Sequence, residues 1–242
     1  MSGINSAFKR HLLVAVDATG YGGGNDQEHF ALQSGLTAAL DESAALAGLR
    51  RDMWLKQAMG DGELAILPQD EPEPVVVDDY IRHLEATLSA RNADAPPRRK
   101  IRLRMAIHFG AAMHADNGYA GQGVVAVSRL VDSAPLRDAL AASQEANLAV
   151  MLSKQVFDDV VRQGHVSFAE TEFTRVRVQV KEYQDEAWVK VVGIPSPAPR
   201  ERSGPVEDSP SPAGPAVSQH FHGDVHAPRS VFGVSYGTRS DD

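Results

Sequence analysis

The sequence predicts an α/β sandwich over residues 1–193, with helices flanking a mostly antiparallel sheet, in a chain of 242 residues. Three observations carry this reading. His11–Asp17 is an unbroken apolar run closed by a carboxylate, the pattern of a strand buried on both faces. Asp61-Gly62 lies between two short apolar runs, the strongest local signal for a hairpin. Two stretches, 26–49 and 75–92, repeat their apolar residues at helical spacing. Strands and helices in that alternation bury one another in layers.

In chain order, the first strand ends at Asp17, and Ala18 to Asn25 supplies glycines for tight turns or close ligand approach. The first helix places Leu32, Leu36, Ala39, Leu40 and Ser43 on one stripe, with Asn25 or Asp26 as its N-cap. Arg51–Gln57 and Leu64–Leu67 form the hairpin around Gly60-Asp61-Gly62. An acidic, proline-bearing loop, 69–74, leads to a helix carrying Val77, Tyr80, Ile81, Leu84 and Leu88. In the strand 101–110, Ile101, Leu103, Met105 and Ile107 mark one face, so Arg102 and Arg104 lie on the other and cannot both be core. A loop, 114–122, precedes a helix over 123–131 that holds Arg129. The chain closes with a short strand at 148–152, a helix capped by Ser153 and running to Arg162, and a hairpin of 173–180 with 187–192.

Beyond Gly193 the composition changes. Eight of the fourteen prolines fall between Pro195 and Pro228, so 194–219 reads as a disordered linker that cannot build a core. Residues 220–242 regain aromatic and apolar residues and read either as a docking peptide for a protein partner or as an incidental tail. His220, His222 and His226 lack a scaffold that would make them metal ligands.

Composition narrows the function. With no cysteine the chain has neither disulfides nor thiolate zinc sites, and with no long apolar run it has no membrane span, so a cytoplasmic location is expected. A net charge of −8 argues against general binding to nucleic acid, and Arg98-Arg99-Lys100 with Arg102 and Arg104 is the one dense basic stretch.

Asp17 and Asp61 each end or bend an apolar strand beside glycine, and either could be purely structural. Taken with their neighbours they resemble the catalytic domain of the class III nucleotidyl cyclases, the adenylate and guanylate cyclase family, from about His11 to Gly193. Asp17-Ala-Thr-Gly20-Tyr21 is similar to the family's first metal-ligand segment, and Gly60-Asp61-Gly62-Glu63 to its second. Arg104-Met-Ala-Ile107-His108-Phe-Gly110 resembles the family's Arg-X-X-Ile-His-X-Gly strand. Gly121 to Arg129 matches the helix that carries a transition-state arginine, and Lys181 stands where the family has a triphosphate-binding lysine in a strand.

The resemblance implies a ferredoxin-like core and conversion of a nucleoside triphosphate to a 3′,5′-cyclic nucleotide and pyrophosphate. Asp17 and Asp61 would hold two magnesium or manganese ions, Arg129 would stabilise the transition state, and Arg104 and Lys181 would bind the outgoing phosphates. It also implies a homodimer whose sites take groups from both chains. Three positions depart from the family pattern. Gln57 replaces the purine-reading lysine, with Lys56 one step out of register and facing the other way. Gly118 replaces its acidic partner, with Asp116 and Asn117 nearby, and Val125 replaces an asparagine. Gln57 can offer a donor and an acceptor to a base as its reader. Some bacterial family members make pyrimidine cyclic nucleotides in antiphage signalling and share this small outline. The alternative is a weak or inactive cyclase-like module that binds a nucleotide and signals through its tail. A polymerase-like palm is disfavoured by size and charge.

Overall fold

The computed structural model describes residues 9–19, 26–115 and 118–193. The expected linker and docking tail at 194–242, the Gly20-Tyr21 segment, and Asp116 and Asn117 lie outside the described residues.

The strands are β1 (Lys9–Thr19), β2 (Leu55–Met59), β3 (Gly62–Ile66), β4 (Arg102–Ala115), β5 (Gly118–Ala120), β6 (Leu148–Ser153), β7 (Thr174–Val180) and β8 (Tyr183–Val192). They form one sheet in the order β2-β3-β1-β4-β6-β8-β7, with β5 paired to the end of β4. Neighbours are antiparallel except β4 and β6, so the expected mixed, mostly antiparallel sheet is what forms.

The period-two pattern of each strand divides the core. Val14, Val16, Leu103, Met105 and Ile107 face α1 (Asp26–Leu46) and α3 (Ile81–Asn92), while Leu13, Ala15, Ala106, Ala149 and Met151 face α4 (Gln122–Val131) and α5 (Ala134–Ala142). Each fully buried leucine or isoleucine in these layers contributes about 1.5–3 kcal/mol. The α1 stripe buries Leu36, Ala39, Leu40 and Ser43 as expected. The helix stops earlier than the pattern suggests because Gly48 takes a φ of +71°. The Leu49 N–H then bonds to Ala44 O at 2.9 Å and the Gly48 N–H to Ala45 O at 3.1 Å, satisfying carbonyls of the last turn.

The second helix begins at α2 (Glu73–Val75), passes through a π turn at Val76–Tyr80, and continues as α3. A second π turn, Phe157–Val161, follows α6 (Lys154–Val156). Ser153 occupies the N-cap position of α6, but its hydroxyl makes no capping bond and is buried without a partner among the described residues.

Several local expectations are corrected. Arg51–Met53 is a single 3-10 turn and the strand starts only at Leu55, because Arg51 turns inward to an ion pair. The 114–122 loop contains β5, three residues that pair with Met113–Ala115. Helix α5 was not expected at all. Its C-terminal end is held by Arg102, which donates to Leu140 O, Ser143 O and Ala146 O at 2.7 Å each. Arg102 and Arg104 are both largely buried, reconciled with the interior by polar partners.

Candidate active site

Asp17 and Asp61 meet because β1 and β3 are neighbours. Asp17 pairs in register with Gly62, and the Ala18 N–H bonds to Asp61 O at 3.2 Å. Gly60 turns the hairpin with φ +62°, and Gly62 lies so close to β1 that a Cβ there would stand 2.0 Å from Val16 O. Glycine at 62 is therefore what lets the Asp61 loop settle onto the end of β1.

The two carboxyl groups lie close enough to influence each other's charge. Burial pushes the Asp17 carboxyl above the ordinary aspartate range and the Asp61 charge pushes it further, while the Arg104 guanidinium opposes both. Arg104 comes from β4, directly across from Asp17 in the register, and its Nη2 donates to Asp17 Oδ2. The Arg104 Nε is buried with no hydrogen-bond partner among the described residues.

Two oxygen donors crowded in this way call for positive charge. The set fits a hard divalent cation that keeps several of its waters, the habit of magnesium, and offers nothing to a thiophilic metal. Among the described residues no group of three or more His, Cys, Asp or Glu side chains gathers at one point, so of these residues the pair alone would supply carboxylates.

The other expected residues lie elsewhere. Arg104 sits beside Ala149 of β6, and Ala149 pairs with Val191 of β8. From Val191 the strand runs back to Tyr183, eight steps of about 3.3 Å, so the β7–β8 turn lies roughly 25 Å from the level of Asp17 along the strands. Lys181 is at that turn. It is not in a strand, as its motif suggested, but is the first residue of a two-residue hairpin loop, with φ 53°. Arg129 reaches toward the same turn, its Nη2 3.9 Å from the largely exposed Glu182, and its Nε is buried without a partner among the described residues. Val125 precedes Arg129 by one helical turn on the exposed side of α4. Within one chain the structure thus unites Asp17, Asp61 and Arg104, and separately Arg129 with the Lys181 turn.

Gln57 and Lys56 face opposite ways, as the strand period requires. Lys56 bonds to Arg51 O at 3.2 Å and lines a cleft of about 550 Å³ between α1 and the β2–β3 hairpin. Gln57 points to β5, where its Oε1 accepts the Tyr119 N–H at 3.3 Å and lies 2.3 Å from where a Cβ on Gly118 would be. The two positions that depart from the purine-reading pattern therefore touch each other. One acceptor lone pair of Gln57 is committed, leaving the other and both amide N–H donors, a narrower repertoire than the free side chain has.

Sequence reasoning missed Arg51. Its guanidinium grips both oxygens of Glu63 at 2.7 and 3.0 Å and Asp41 at 2.7 Å, and lies over the Trp54 ring. It ties α1 to β3 two residues from Asp61. The signal was present as Asp41, Arg51 and Glu63, but only the chain path brings them together.

No protein-family model and no curated protein matches this chain. Solved structures do. An adenylate/guanylate cyclase/hydrolase from Silicibacter pomeroyi superposes with a TM-score of 0.55 at 22% identity, covering 76% of this chain and 97% of that one. The guanylyl cyclase Cya2 superposes at 0.52 and 14% identity, covering 79% and 96%. The fold is that of a nucleotide cyclase catalytic domain. The likeness reaches nearly the full length of both structures and about three quarters of this chain. No helix among the described residues is long and apolar enough to cross a membrane.

Proposed function

We propose that this chain is a divergent class III nucleotide cyclase, acting as a homodimer on a nucleoside triphosphate. The observation that carries the reading is the division of the polar groups. A carboxylate pair with one arginine stands at one end of the sheet and a second cationic group, Arg129 with Lys181, at the other. A triphosphate is far too short to touch both ends of one chain, whereas a second copy turned about a two-fold axis brings complementary ends together twice.

In the composite site the ribose 3′ hydroxyl gives up its proton to solvent and its oxygen bonds to the α-phosphorus as the bond from that phosphorus to the β-bridging oxygen breaks, releasing pyrophosphate. Asp17 and Asp61 would hold magnesium or manganese, which would supply charge neutralisation for the reacting oxygens. Arg129, whose only ion-pair partner among the described residues is distant and exposed, is available to stabilise charge building on the α-phosphate. Lys181, with no ion pair among the described residues, and Arg104 bind the departing phosphates. Gln57, anchored through its carbonyl on Tyr119, turns its amide donors toward the base and favours an edge that offers a carbonyl acceptor. Val125 at the expected asparagine position removes one orienting hydrogen bond, which predicts slow turnover.

The test is incubation of the full chain with each of the four ribonucleoside triphosphates and manganese, followed by assay of pyrophosphate and cyclic product. Product is expected from at least one, and is lost in Asp61→Ala. Mixing Asp17→Ala with Arg129→Ala chains restores part of the activity through one intact composite site. No recovery in verified heterodimers refutes the two-chain site. Binding of a triphosphate with no product from any of the four favours the signalling-module alternative.

A further inference from the structure

Arg104 pairs with one of the two carboxylates read as metal ligands. It is the direct cross-strand neighbour of Asp17, and both side chains are largely withdrawn from solvent, at 13% and 17% exposed. Its contact is made through one terminal nitrogen, Nη2, while Nε is buried with no partner among the described residues. A guanidinium that only stabilised the fold would be expected to present its fork to both carboxylate oxygens, as Arg51 does with Glu63. Arg104 instead rests on one oxygen and keeps part of its donor set unspent.

We propose that Arg104 is an internal counter-ion that competes with the metal for Asp17, and that its transfer from Asp17 to an incoming phosphate couples metal binding to triphosphate binding. The proposal rests on reading Asp17 and Asp61 as metal ligands. The physical basis is that two cations on one carboxylate, a few ångströms apart in a partly buried site, repel each other strongly. Metal entering without nucleotide must do so against the arginine. Phosphate oxygens give the guanidinium another anionic partner, so each ligand eases the binding of the other, and by linkage the enhancement is reciprocal.

The experiment measures manganese affinity of the full chain without nucleotide, by calorimetry or by the loss of free-ion electron paramagnetic signal. Asp61→Ala comes first, and loss of binding there establishes the carboxylate pair. Arg104→Gln is then expected to bind manganese roughly tenfold or more tightly than the parent chain. Arg104→Lys keeps the charge and is expected to stay near the parent, which guards against a folding defect in the neutral variant. In the parent, adding a non-reacting triphosphate analogue tightens manganese binding, and this enhancement shrinks toward one-fold in Arg104→Gln. Unchanged or weaker manganese binding in Arg104→Gln, with Asp61→Ala still defective, overturns the proposal and leaves the metal assignment standing. Absence of manganese binding in both the parent and Arg104→Gln overturns the metal assignment and the proposal with it.

Discussion

Replacing Arg51 with methionine tests how the hairpin that carries Asp61 is held. Arg51 is 5% exposed and Glu63 16%, whereas Asp41 is 54% exposed, so the loss falls mainly on Glu63. Without the guanidinium, Glu63 keeps a partly buried charge with no partner in that fork. Removing one partner of a buried ion pair costs about 3–5 kcal/mol, and the residual solvent contact of Glu63 lowers the expected loss to about 2–3 kcal/mol. For a folded unit of this size that is a fall in melting temperature of roughly 4–12 °C. Urea denaturation at pH 7 measures it directly. Arg51→Met/Glu63→Gln removes the stranded charge and is expected to recover about half the deficit. A single-variant loss below about 0.5 kcal/mol, or a double variant no better than the single, would refute the assignment of this pair as the anchor.

Two more outcomes follow from the geometry. Gly62→Ala forces a Cβ to within 2.0 Å of Val16 O, so the hairpin must move off β1. It is expected to cost about 1–3 kcal/mol and to weaken manganese binding at least tenfold, read by thermal melt and calorimetry. Asp78 accepts from the Ser167 N–H at 2.6 Å, the Ser167 hydroxyl at 2.8 Å and Arg82 at 2.7 Å. Burial pushes its carboxyl upward, but these bonds outweigh it and hold the group below the ordinary aspartate range. Its stabilisation is therefore complete above the ordinary aspartate pKa and is lost as pH falls through the lowered value. Asp78→Asn is expected to lose about 1–2 kcal/mol at pH 7 and to converge with the parent only once the pH has fallen below the lowered pKa of Asp78, followed by urea midpoints from pH 7 downward.

The parts of the fold that were legible in the sequence are those in which one physical signal dominates. The continuous apolar run of β1, the Asp-Gly turn and the stripes of α1 and α3 need no distant partner to be recognised, and each element forms. Helix α5 was overlooked although Ala, Leu and Arg favour a helix and Pro135 suits its first turn; at nine residues it is too short to hold by itself, and its end is secured by Arg102 from a strand more than thirty residues earlier. β5 exists only because Met113–Ala115 gives it a partner. Tyr183–Asp185 extends β8 past its apolar part, which pulls Lys181 from an expected strand into a tight turn. At the candidate site the Asp17–Asp61 meeting was foreseen through motif resemblance, and the structure places those carboxyls together. The opposite facing of Lys56 and Gln57 was foreseen from the strand period alone. The Arg104 contact with Asp17 is a register effect, set by which residues stand across from one another on neighbouring strands, and the Arg51 fork depends on the path that carries a 3-10 turn back against β3 and α1; single-chain spacing contains no record of either.

The distance between Asp17 and the Lys181 turn carries a kinetic meaning under the proposed reading. A chain that holds its halves of the chemistry at opposite ends makes no product alone. At concentrations below the dimer dissociation constant, the rate rises with the square of protein concentration, and a tenfold dilution silences the enzyme about a hundredfold. Expression level, or anything that gathers chains locally, then acts as the switch without any change of shape in the monomer.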